Sequence, residues 1–292
     1  MFDGFTSHLV HTAEADIAVR VGGSGPPLLL IHGYPQTHVM WHKIAPDLAK
    51  YFTVICVDLR GYGDSSKPPS AMDHSTYSKR AMAGDLVEVM TKLGFPTFMV
   101  AGHDRGGRVV HRMLLDHEDR IRRAAVLDIV PTATVFRSVD SAIAKDQYHW
   151  FFLIQEGGLP EHMIGLDPDT YLHSRLFQAG VDPASFTPEA LSEYRRCFRD
   201  PASIHASCED YRAAASIDLI HDEDDAGRRV GVPLLVLWSA RGSNHRFYDV
   251  LQTWRDSFPN AVGQTVDCGH FLAEEQPEAT LQAIREFFAQ AH

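Results

Sequence analysis

Residues 98–115, FMVAGHDRGGRVVHRMLL, decide the fold of this chain. The apolar run that opens the stretch predicts a β-strand, and the run that closes it predicts a helix. Between them, Gly102 and Gly106 flank Asp104 in the pattern Gly-x-nucleophile-x-Gly. A strand, this pattern and a helix are typical of a nucleophile elbow, a tight turn whose glycines make room for a strained, exposed central residue. The stretch therefore predicts that Asp104 is a nucleophile.

An aspartate at the centre of this turn restricts the chemistry, because serine is the usual occupant. A carboxylate that attacks an ester gives a high-energy anhydride, whereas a carboxylate that attacks a saturated carbon gives an ordinary ester. The sequence therefore predicts an alkyl halide or an epoxide as substrate, rather than an ester.

The composition is that of an ordinary soluble globular protein. The chain has 292 residues, of which 45% are hydrophobic and 22% charged, enough for one domain with an insertion or for two. The formal net charge of −11 argues against a nucleic-acid partner. An anionic substrate would have to meet local positive charge.

Cysteine and histidine usage predicts neither a disulfide framework nor a metal site. Cys56, Cys197, Cys208 and Cys268 form no C-x-x-C pair and indicate reduced thiols in a cytoplasmic protein. The seventeen histidines are scattered without a metalloprotease pattern. We expect no signal peptide and no membrane partner, since no run reaches the roughly 18 apolar residues of a membrane span.

Alternating strand and helix patterns indicate the fold class. Strands are predicted at residues 8–12, 16–22, 27–31, 52–58, 97–103, 123–128, 233–239 and 262–267. Helices are predicted at residues 40–50, 76–93, 106–116, 246–257 and 276–290. The near-continuous apolar runs favour strands buried on both faces of a mostly parallel sheet. The alternation predicts an α/β fold with right-handed crossovers.

The alternation stops between residues 132 and 228. This segment is helix-like, rich in aromatic residues and punctuated by prolines. Because the last strands return after it, we predict a helical cap domain at 132–228, inserted into a core domain of residues 1–131 and 229–292.

His270 is the candidate base and Asp128 the candidate acid that orients it. In the chain order nucleophile, acid, histidine, the histidine follows the last strand, where His270 stands. Asp128 ends the strand before the insertion, from where it can reach the same imidazole. The more common position, the loop at 237–243, has no carboxylate. Asp249 and Asp267 are the alternatives.

Two backbone N–H groups are predicted to form an oxyanion hole. The sequence HGYP follows the third strand, in a loop that donates one N–H, and the residue after the nucleophile donates the other. These would be the amides of Tyr34 and Arg105, which would stabilise the oxyanion formed when water attacks the aspartyl ester. A simple Gly-Pro turn also explains HGYP and is compatible with this role.

Arg105 and Arg108 are the candidate binding groups for a substrate carboxylate. They lie three residues apart at the start of a predicted helix, and therefore on nearly the same face. Two guanidinium groups beside Asp104 fit a carboxylate and would lower the pKa of Asp104. Salt bridging on a helix surface is the alternative.

At these residues the chain resembles the fluoroacetate (haloacetate) dehalogenases of the α/β-hydrolase superfamily. The resemblance covers nearly the whole chain and rests on HGYPQTHVMW at 32–41, DLRGYGDSS at 58–66, GHDRGGRV at 102–109, LDIVPT at 127–132, YHWFFL at 148–153, CEDYRAAAS at 208–216 and DCGHFLAEEQP at 267–277. DLRGYGDSS is general to the superfamily, whereas GHDRGGR together with YHW and EDYRA is much more specific. The resemblance implies an α/β-hydrolase fold with a helical cap.

The resemblance also implies roles for individual residues. Asp104 would be the nucleophile, His270 the base and Asp128 its orienting acid, while Arg105 and Arg108 would bind the haloacetate carboxylate. Where the family has Phe after His-Gly, this chain has Tyr34, whose extra hydroxyl could alter the polarity of the pocket and the preference for a halide.

Three cap residues would bind the leaving halide according to the same resemblance. They are His149, Trp150 and Tyr211. Fluoride is a poor, strongly hydrated leaving group that needs several donors in a dry pocket, and an imidazole, an indole and a phenol supply three. Packing within the cap is the alternative for Trp150 and Tyr211.

The sequence thus predicts a hydrolase without a cofactor or a metal that converts haloacetate to glycolate and halide through an aspartyl ester. An epoxide hydrolase is the nearest alternative, but a guanidinium at position 105 would be costly beside a neutral substrate. A ligand-binding relative without turnover is a second alternative. Family likeness also suggests a homodimer.

Overall fold

A computed structural model describes residues 1–290 and contains one eight-stranded sheet. The strands are β1 (Thr6–His11), β2 (Asp16–Gly22), β3 (Pro27–Ile31), β4 (Thr53–Val57), β5 (Phe98–His103), β6 (Ile121–Leu127), β7 (Leu234–Ser239) and β8 (Ala261–Val266). All eight predicted strands are confirmed, with their ends within two residues of the predicted positions.

The order of strands in the sheet is β1-β2-β4-β3-β5-β6-β7-β8. β1 pairs antiparallel with β2 and β2 antiparallel with β4, while every pairing from β4 through β3 to β8 is parallel. The mostly parallel α/β fold is therefore confirmed. The carboxyl ends of β3, β5, β6 and β7 meet at one edge, which is where open α/β sheets place their sites.

The central strands are apolar throughout because helices cover both faces of the sheet. All six residues of β5 are buried, as are the last four of β3. The two faces pack into separate apolar clusters. The edge strand β1 is mostly exposed. Burial of both faces explains why near-continuous apolar runs identified these strands.

Fifteen α-helices accompany the sheet within residues 1–290. They are α1 (Ala45–Leu48), α2 (Lys79–Lys92), α3 (Arg105–Asp116), α4 (Thr132–Ser138), α5 (Ser141–Asp146), α6 (Tyr148–Leu153), α7 (Leu159–Leu166), α8 (Pro168–Leu176), α9 (Pro188–Phe198), α10 (Pro201–Ala214), α11 (Ile217–Asp224), α12 (Ser243–Phe247), α13 (Val250–Arg255), α14 (Leu272–Glu275) and α15 (Pro277–Ala289). Short 3-10 turns lie at His38–Trp41, Ser75–Tyr77, Glu118–Arg120 and Pro183–Ser185.

Two predicted helices are not continuous. The segment 40–50 consists of the end of a 3-10 turn and the short α1, whose second residue, Pro46, has no N–H to continue a preceding helix. The segment 246–257 is divided because Tyr248 is extended and the Asp249 side chain accepts the N–H of Gln252, which starts α13.

The helices α4 to α11 lie between β6 and β7, where the sequence predicted the inserted cap. The sheet continues directly from β6 to β7 through parallel pairing, so the insertion leaves the core topology unbroken. The domain boundaries themselves stay a prediction. Over residues 1–290, no helix combines the length and the apolarity that a membrane crossing requires.

Candidate active site

Asp104 sits in a strained turn between β5 and α3. Its φ of 47° and ψ of −116° lie in a region that residues with a Cβ rarely adopt. The flanking glycines permit this turn, because a Cβ on Gly102 would come within 2.4 Å of the Gly106 carbonyl oxygen and a Cβ on Gly106 within 2.3 Å of the His32 carbonyl oxygen. The turn has the geometry of a nucleophile elbow.

The loop after β3 contacts the Asp104 carboxylate directly. The Tyr34 backbone N–H donates a hydrogen bond of 2.8 Å to Asp104 Oδ1. This approach requires Gly33, since a Cβ there would lie 2.4 Å from the Asp104 Cβ. The Arg105 N–H belongs to the first turn of α3, where a helix supplies no carbonyl acceptor. The two amides predicted for the oxyanion hole therefore both adjoin the nucleophile.

His270 lies between the two predicted carboxylates. Its Nδ1 is 2.6 Å from Asp128 Oδ2, and its Nε2 is 3.8 Å from Asp104 Oδ2. Asp128 Oδ1 accepts the Ser239 N–H at 3.0 Å, which fixes the orientation of that carboxylate. Asp128 has a φ of 49°, a second strained residue at this edge of the sheet.

The two alternative acids have other partners. Asp249 caps α13, and Asp267 is exposed and paired with Arg241, with 2.8 Å between Oδ1 and Nε. Neither forms a hydrogen bond to the imidazole among the residues that the structure describes. The structure thus brings Asp128, and not these residues, to His270.

Glu275 holds the backbone on both sides of His270. Its Oε2 accepts the Gly269 N–H at 2.8 Å and its Oε1 accepts the Phe271 N–H at 2.9 Å. His103 adds a hydrogen bond of 2.8 Å between its Nε2 and the His270 carbonyl oxygen. Because burial lowers the pKa of His103 to about 4, this imidazole is neutral and donates from Nε2. The loop that carries the base is therefore fixed by two side chains outside the predicted set.

The electrostatics favour an ionised nucleophile. Burial would raise the pKa of Asp104, but His270 and the guanidinium groups of Arg105 and Arg108 outweigh that effect and hold the pKa below its ordinary value. Burial lowers the pKa of His270, but the hydrogen bond to Asp128 and the negative charge of Asp128 raise it by more, so the net shift of the pKa is upward.

Arg105 is buried and its guanidinium is largely occupied by Asp210 of α10. Nε lies 3.1 Å and Nη2 2.6 Å from the Asp210 carboxylate, and Nη2 also donates to the Asp210 carbonyl oxygen at 2.8 Å. Nη1 is buried without a hydrogen-bond partner among residues 1–290. Asp210 therefore occupies two of the three Arg105 nitrogens, and the role of Arg105 toward a substrate carboxylate stays a prediction that only Nη1 could serve.

Arg108 lines the cavity beside Asp104. Its Nη1 donates to the Val130 carbonyl oxygen and to Thr132 Oγ1, both at 3.0 Å, and its buried Nε has no partner among the described residues. Burial and the charge of Arg105 lower the pKa of Arg108 to about 10, so the guanidinium remains charged at neutral pH. Both predicted arginines are buried beside the nucleophile rather than turned to bulk solvent.

The three predicted halide ligands meet in the same cavity. The His149 and Trp150 rings lie 5.8 and 5.7 Å from the Tyr211 ring, measured between centroids. Burial lowers the pKa of His149 well below the ordinary value of a histidine, and it raises the pKa of Tyr211 well above the ordinary value of a tyrosine. Both side chains are therefore uncharged donors. Packing is also real for Trp150, since the Arg108 guanidinium carbon lies 4.4 Å from its ring centroid.

One cavity of about 710 Å³ joins these groups. Asp104, His270 and Tyr211 line its inner part together with Tyr34, whose buried hydroxyl has no partner among residues 1–290. Within that same range, no three His, Cys, Asp or Glu side chains come together as possible metal ligands.

Sequence reasoning missed Asp210, Glu275 and His103. Asp210 lies within the EDYRA segment and Glu275 follows His270 by five residues, so both were inside motifs that had been singled out. Nothing in their local spacing shows that one pairs with Arg105 and the other binds backbone N–H groups. Only the fold brings these partners together.

This fold and site define a class of protein. A family model for the α/β-hydrolase fold matches residues 26–277, and the chain belongs to the α/β-hydrolase family. Fluoroacetate dehalogenase of Burkholderia sp is 48% identical, over 100% of this chain and 96% of that protein. Soluble epoxide hydrolase of Corynebacterium sp. (strain C12) is 34% identical over 99% and 96%. The crystal structure of ALR0039 from Nostoc sp PCC 7120 superposes with a TM-score of 0.98 at 56% identity, covering 99% of each chain.

Proposed function

We propose that this protein is a haloacetate dehalogenase, a hydrolase that converts fluoroacetate or chloroacetate and water to glycolate, halide and a proton. The observation that carries the proposal is one cavity in which an aspartate nucleophile, a charged Arg108 and three uncharged donors converge. The full-length likeness to a fluoroacetate dehalogenase supports the same substrate class.

In the first step, Asp104 displaces the halide. Oδ1 is held by the Tyr34 N–H, which leaves Oδ2 to attack the methylene carbon in line with the carbon–halogen bond. A carbon–oxygen bond forms as the carbon–halogen bond breaks, and the electron pair leaves with the halide. The N–H and O–H donors of His149, Trp150 and Tyr211 would receive the developing negative charge.

In the second step, water hydrolyses the aspartyl ester. His270 Nε2 takes a proton from water while Asp128 stabilises the imidazolium through Nδ1. The water oxygen attacks the Asp104 carboxyl carbon, and the negative charge moves to Oδ1, where the Tyr34 and Arg105 amides stabilise it. Collapse breaks the ester bond, and the His270 imidazolium returns its proton to the departing glycolate oxygen. The proton that remained on the water oxygen is then released, which regenerates the Asp104 carboxylate with one oxygen from water.

The substrate carboxylate would be held asymmetrically. Arg105 offers Nη1 alone, because Asp210 occupies its other nitrogens. Arg108 offers its unpartnered Nε. Charge-assisted hydrogen bonds of this kind contribute about 1.5–3 kcal/mol each when buried. This grip would aim the methylene carbon at Asp104.

Epoxide hydrolysis is the second candidate, because the same Asp104 and His270 serve it and Tyr34, Tyr148 and Tyr211 line the cavity. The 34% identical relative is an epoxide hydrolase. Against this candidate, a neutral epoxide would supply no negative charge to pair with the buried guanidinium of Arg108.

We further propose that the reaction proceeds without a cofactor, in the cytoplasm, where the four free, buried cysteines would remain reduced. A homodimer stays a prediction.

Ion-selective measurement of fluoride and chloride release tests the function directly. We expect halide release from fluoroacetate and chloroacetate and none above background from either with Asp104→Asn. Styrene oxide serves as the competing substrate. Turnover of styrene oxide with no halide release from either haloacetate would replace the dehalogenase by the epoxide hydrolase.

A further inference from the structure

The cavity is larger than its proposed substrate requires. About 710 Å³ is a volume that commonly accommodates drug-sized ligands, whereas a two-carbon acid fills a small part of it. The inner end holds Asp104 and the groups around it. The remaining wall comes from α5, α8 and the residues after β7, and it contains exposed residues such as Lys145 and Arg246, so this outer part of the cavity faces solvent.

The outer wall is rich in positive charge although the chain is acidic overall. Four cationic residues line it in addition to Arg108: Lys145, Arg175, Arg241 and Arg246. Two of them are neutralised, since Arg241 pairs with Asp267 and Arg246 with Asp146. Lys145 is exposed, which leaves Arg175 as the partly buried cation of the outer wall.

Arg175 has no carboxylate within 4.0 Å among the residues that the structure describes. Its Nη2 donates to the Ser174 carbonyl oxygen at 3.2 Å, and its guanidinium carbon lies 4.8 Å from the Tyr148 ring centroid. Its Nε is buried with no partner within residues 1–290. A partly buried guanidinium with unused N–H groups, in a cavity through which anions pass, has the features of an anion site.

Arg175 is also coupled to the inner site. Its guanidinium packs on the Tyr148 ring, whose centroid lies 6.2 Å from that of His149, and its charge helps to lower the pKa of His149 after the larger effect of burial. His149 Nδ1 is itself buried without a partner among the described residues. Arg175 is thus a partly buried cation without a carboxylate partner in the same cavity as the three halide donors.

We propose that Arg175 forms a second, outer anion site that receives the carboxylate of the incoming haloacetate and the departing halide. This inference rests on the proposed function for its physiological ligands, but the site itself requires only a small monovalent anion. With such a site, an anion would first bind at Arg175, away from Asp104, where the reaction takes place. The site also concentrates the substrate at a protein whose net charge of −11 would otherwise repel it.

Bromide is the probe for this site, because its binding needs no turnover. Titration with sodium bromide is followed by quenching of tryptophan fluorescence in wild type, Arg175→Gln, Arg175→Lys and Arg246→Gln. We expect Arg175→Gln to weaken bromide binding about fivefold or more, as loss of a charged hydrogen bond does. Arg175→Lys should restore most of the affinity. Arg246→Gln, whose cation is already paired, should stay within twofold of wild type.

Steady-state kinetics provide the second readout. In Arg175→Gln, the KM for chloroacetate and the inhibition constant of bromide should both rise. The KM for chloroacetamide, which is neutral, should equal that of wild type. Equal bromide affinity in Arg175→Gln and Arg246→Gln would overturn the outer site. Bromide binding that depends on Arg175, in a wild-type protein that releases no halide from any haloacetate, would leave the outer site standing and overturn the proposed function. Thermal unfolding of each variant shows whether a loss of binding comes from a loss of folding.

Discussion

Asp210→Asn tests whether the buried pair with Arg105 sustains both the fold and substrate binding. Asp210 is fully buried and accepts from Arg105 at 2.6 and 3.1 Å, from the Tyr62 hydroxyl at 2.6 Å, and from Lys79. Asparagine has nearly the same size but turns one acceptor oxygen into an N–H donor. That donor would face Arg105 or Tyr62, which are donors themselves, and a buried cation would lose its counter-ion.

The expected loss of stability follows from this geometry. Breaking a buried ion pair by removing one charge costs about 3–5 kcal/mol. Lys79 keeps Asp218 as a second partner at 3.5 Å, so the unpaired charge is that of Arg105. Asp169→Asn is the matched control, because the Asp169–Arg199 pair has side chains 39% and 60% exposed and such pairs contribute about 0–1 kcal/mol.

Urea denaturation gives the first readout and halide-release kinetics the second. We expect the free energy of unfolding of Asp210→Asn to fall by about 3–5 kcal/mol against at most 1 kcal/mol for the control. KM for chloroacetate should rise about tenfold or more, since a displaced guanidinium no longer presents Nη1 to the carboxylate. A loss below 1 kcal/mol with an unchanged KM would refute the assignment of Asp210 as the residue that holds Arg105.

Three further predictions concern the base and the turn. Glu275→Gln should lower the rate of ester hydrolysis about tenfold with little change in KM, because it loosens the backbone on both sides of His270; rapid-quench kinetics check this, and an unchanged rate would contradict it. The pKa of His270 is raised by Asp128, so the rate of ester hydrolysis should be highest at high pH and should fall as the pH drops through that raised pKa. In Asp128→Asn, the midpoint of this fall in rate should move to lower pH, and a move to higher pH would contradict the reasoning. Gly33→Ala should destabilise the fold by about 1–3 kcal/mol and reduce halide release, because its Cβ would lie 2.4 Å from the Asp104 Cβ; a melting temperature and activity equal to wild type would contradict this.

The sequence was sufficient to predict the sheet and the ends of its strands. Buried strands have continuous apolar runs, and the elbow has a local pattern in which Gly102 and Gly106 are required by close backbone contacts. The short helices after β3 and β7 were less predictable. There, a proline and the Asp249 cap divide segments whose apolar spacing resembles one helix.

The sequence could predict those residues of the site that directly follow a strand, because the end of the strand determines where the side chain lies. Asp104, Asp128 and His270 each follow a strand of a parallel sheet, so topology alone brings them to one edge. The orientation of Arg105 was not predictable, because its partner Asp210 comes from α10, more than a hundred residues away along the chain. The unpaired state of Arg175 likewise depends on which acids the fold brings near it.

The most direct test of the covalent mechanism is a single turnover of excess enzyme with chloroacetate in ¹⁸O-labelled water, followed by mass spectrometry of the peptide that contains Asp104. Attack by Asp104 on the methylene carbon predicts one ¹⁸O in the Asp104 carboxylate and unlabelled glycolate from that first turnover. Labelled glycolate together with an unlabelled Asp104 peptide would show that water attacks the substrate directly, and would contradict the account.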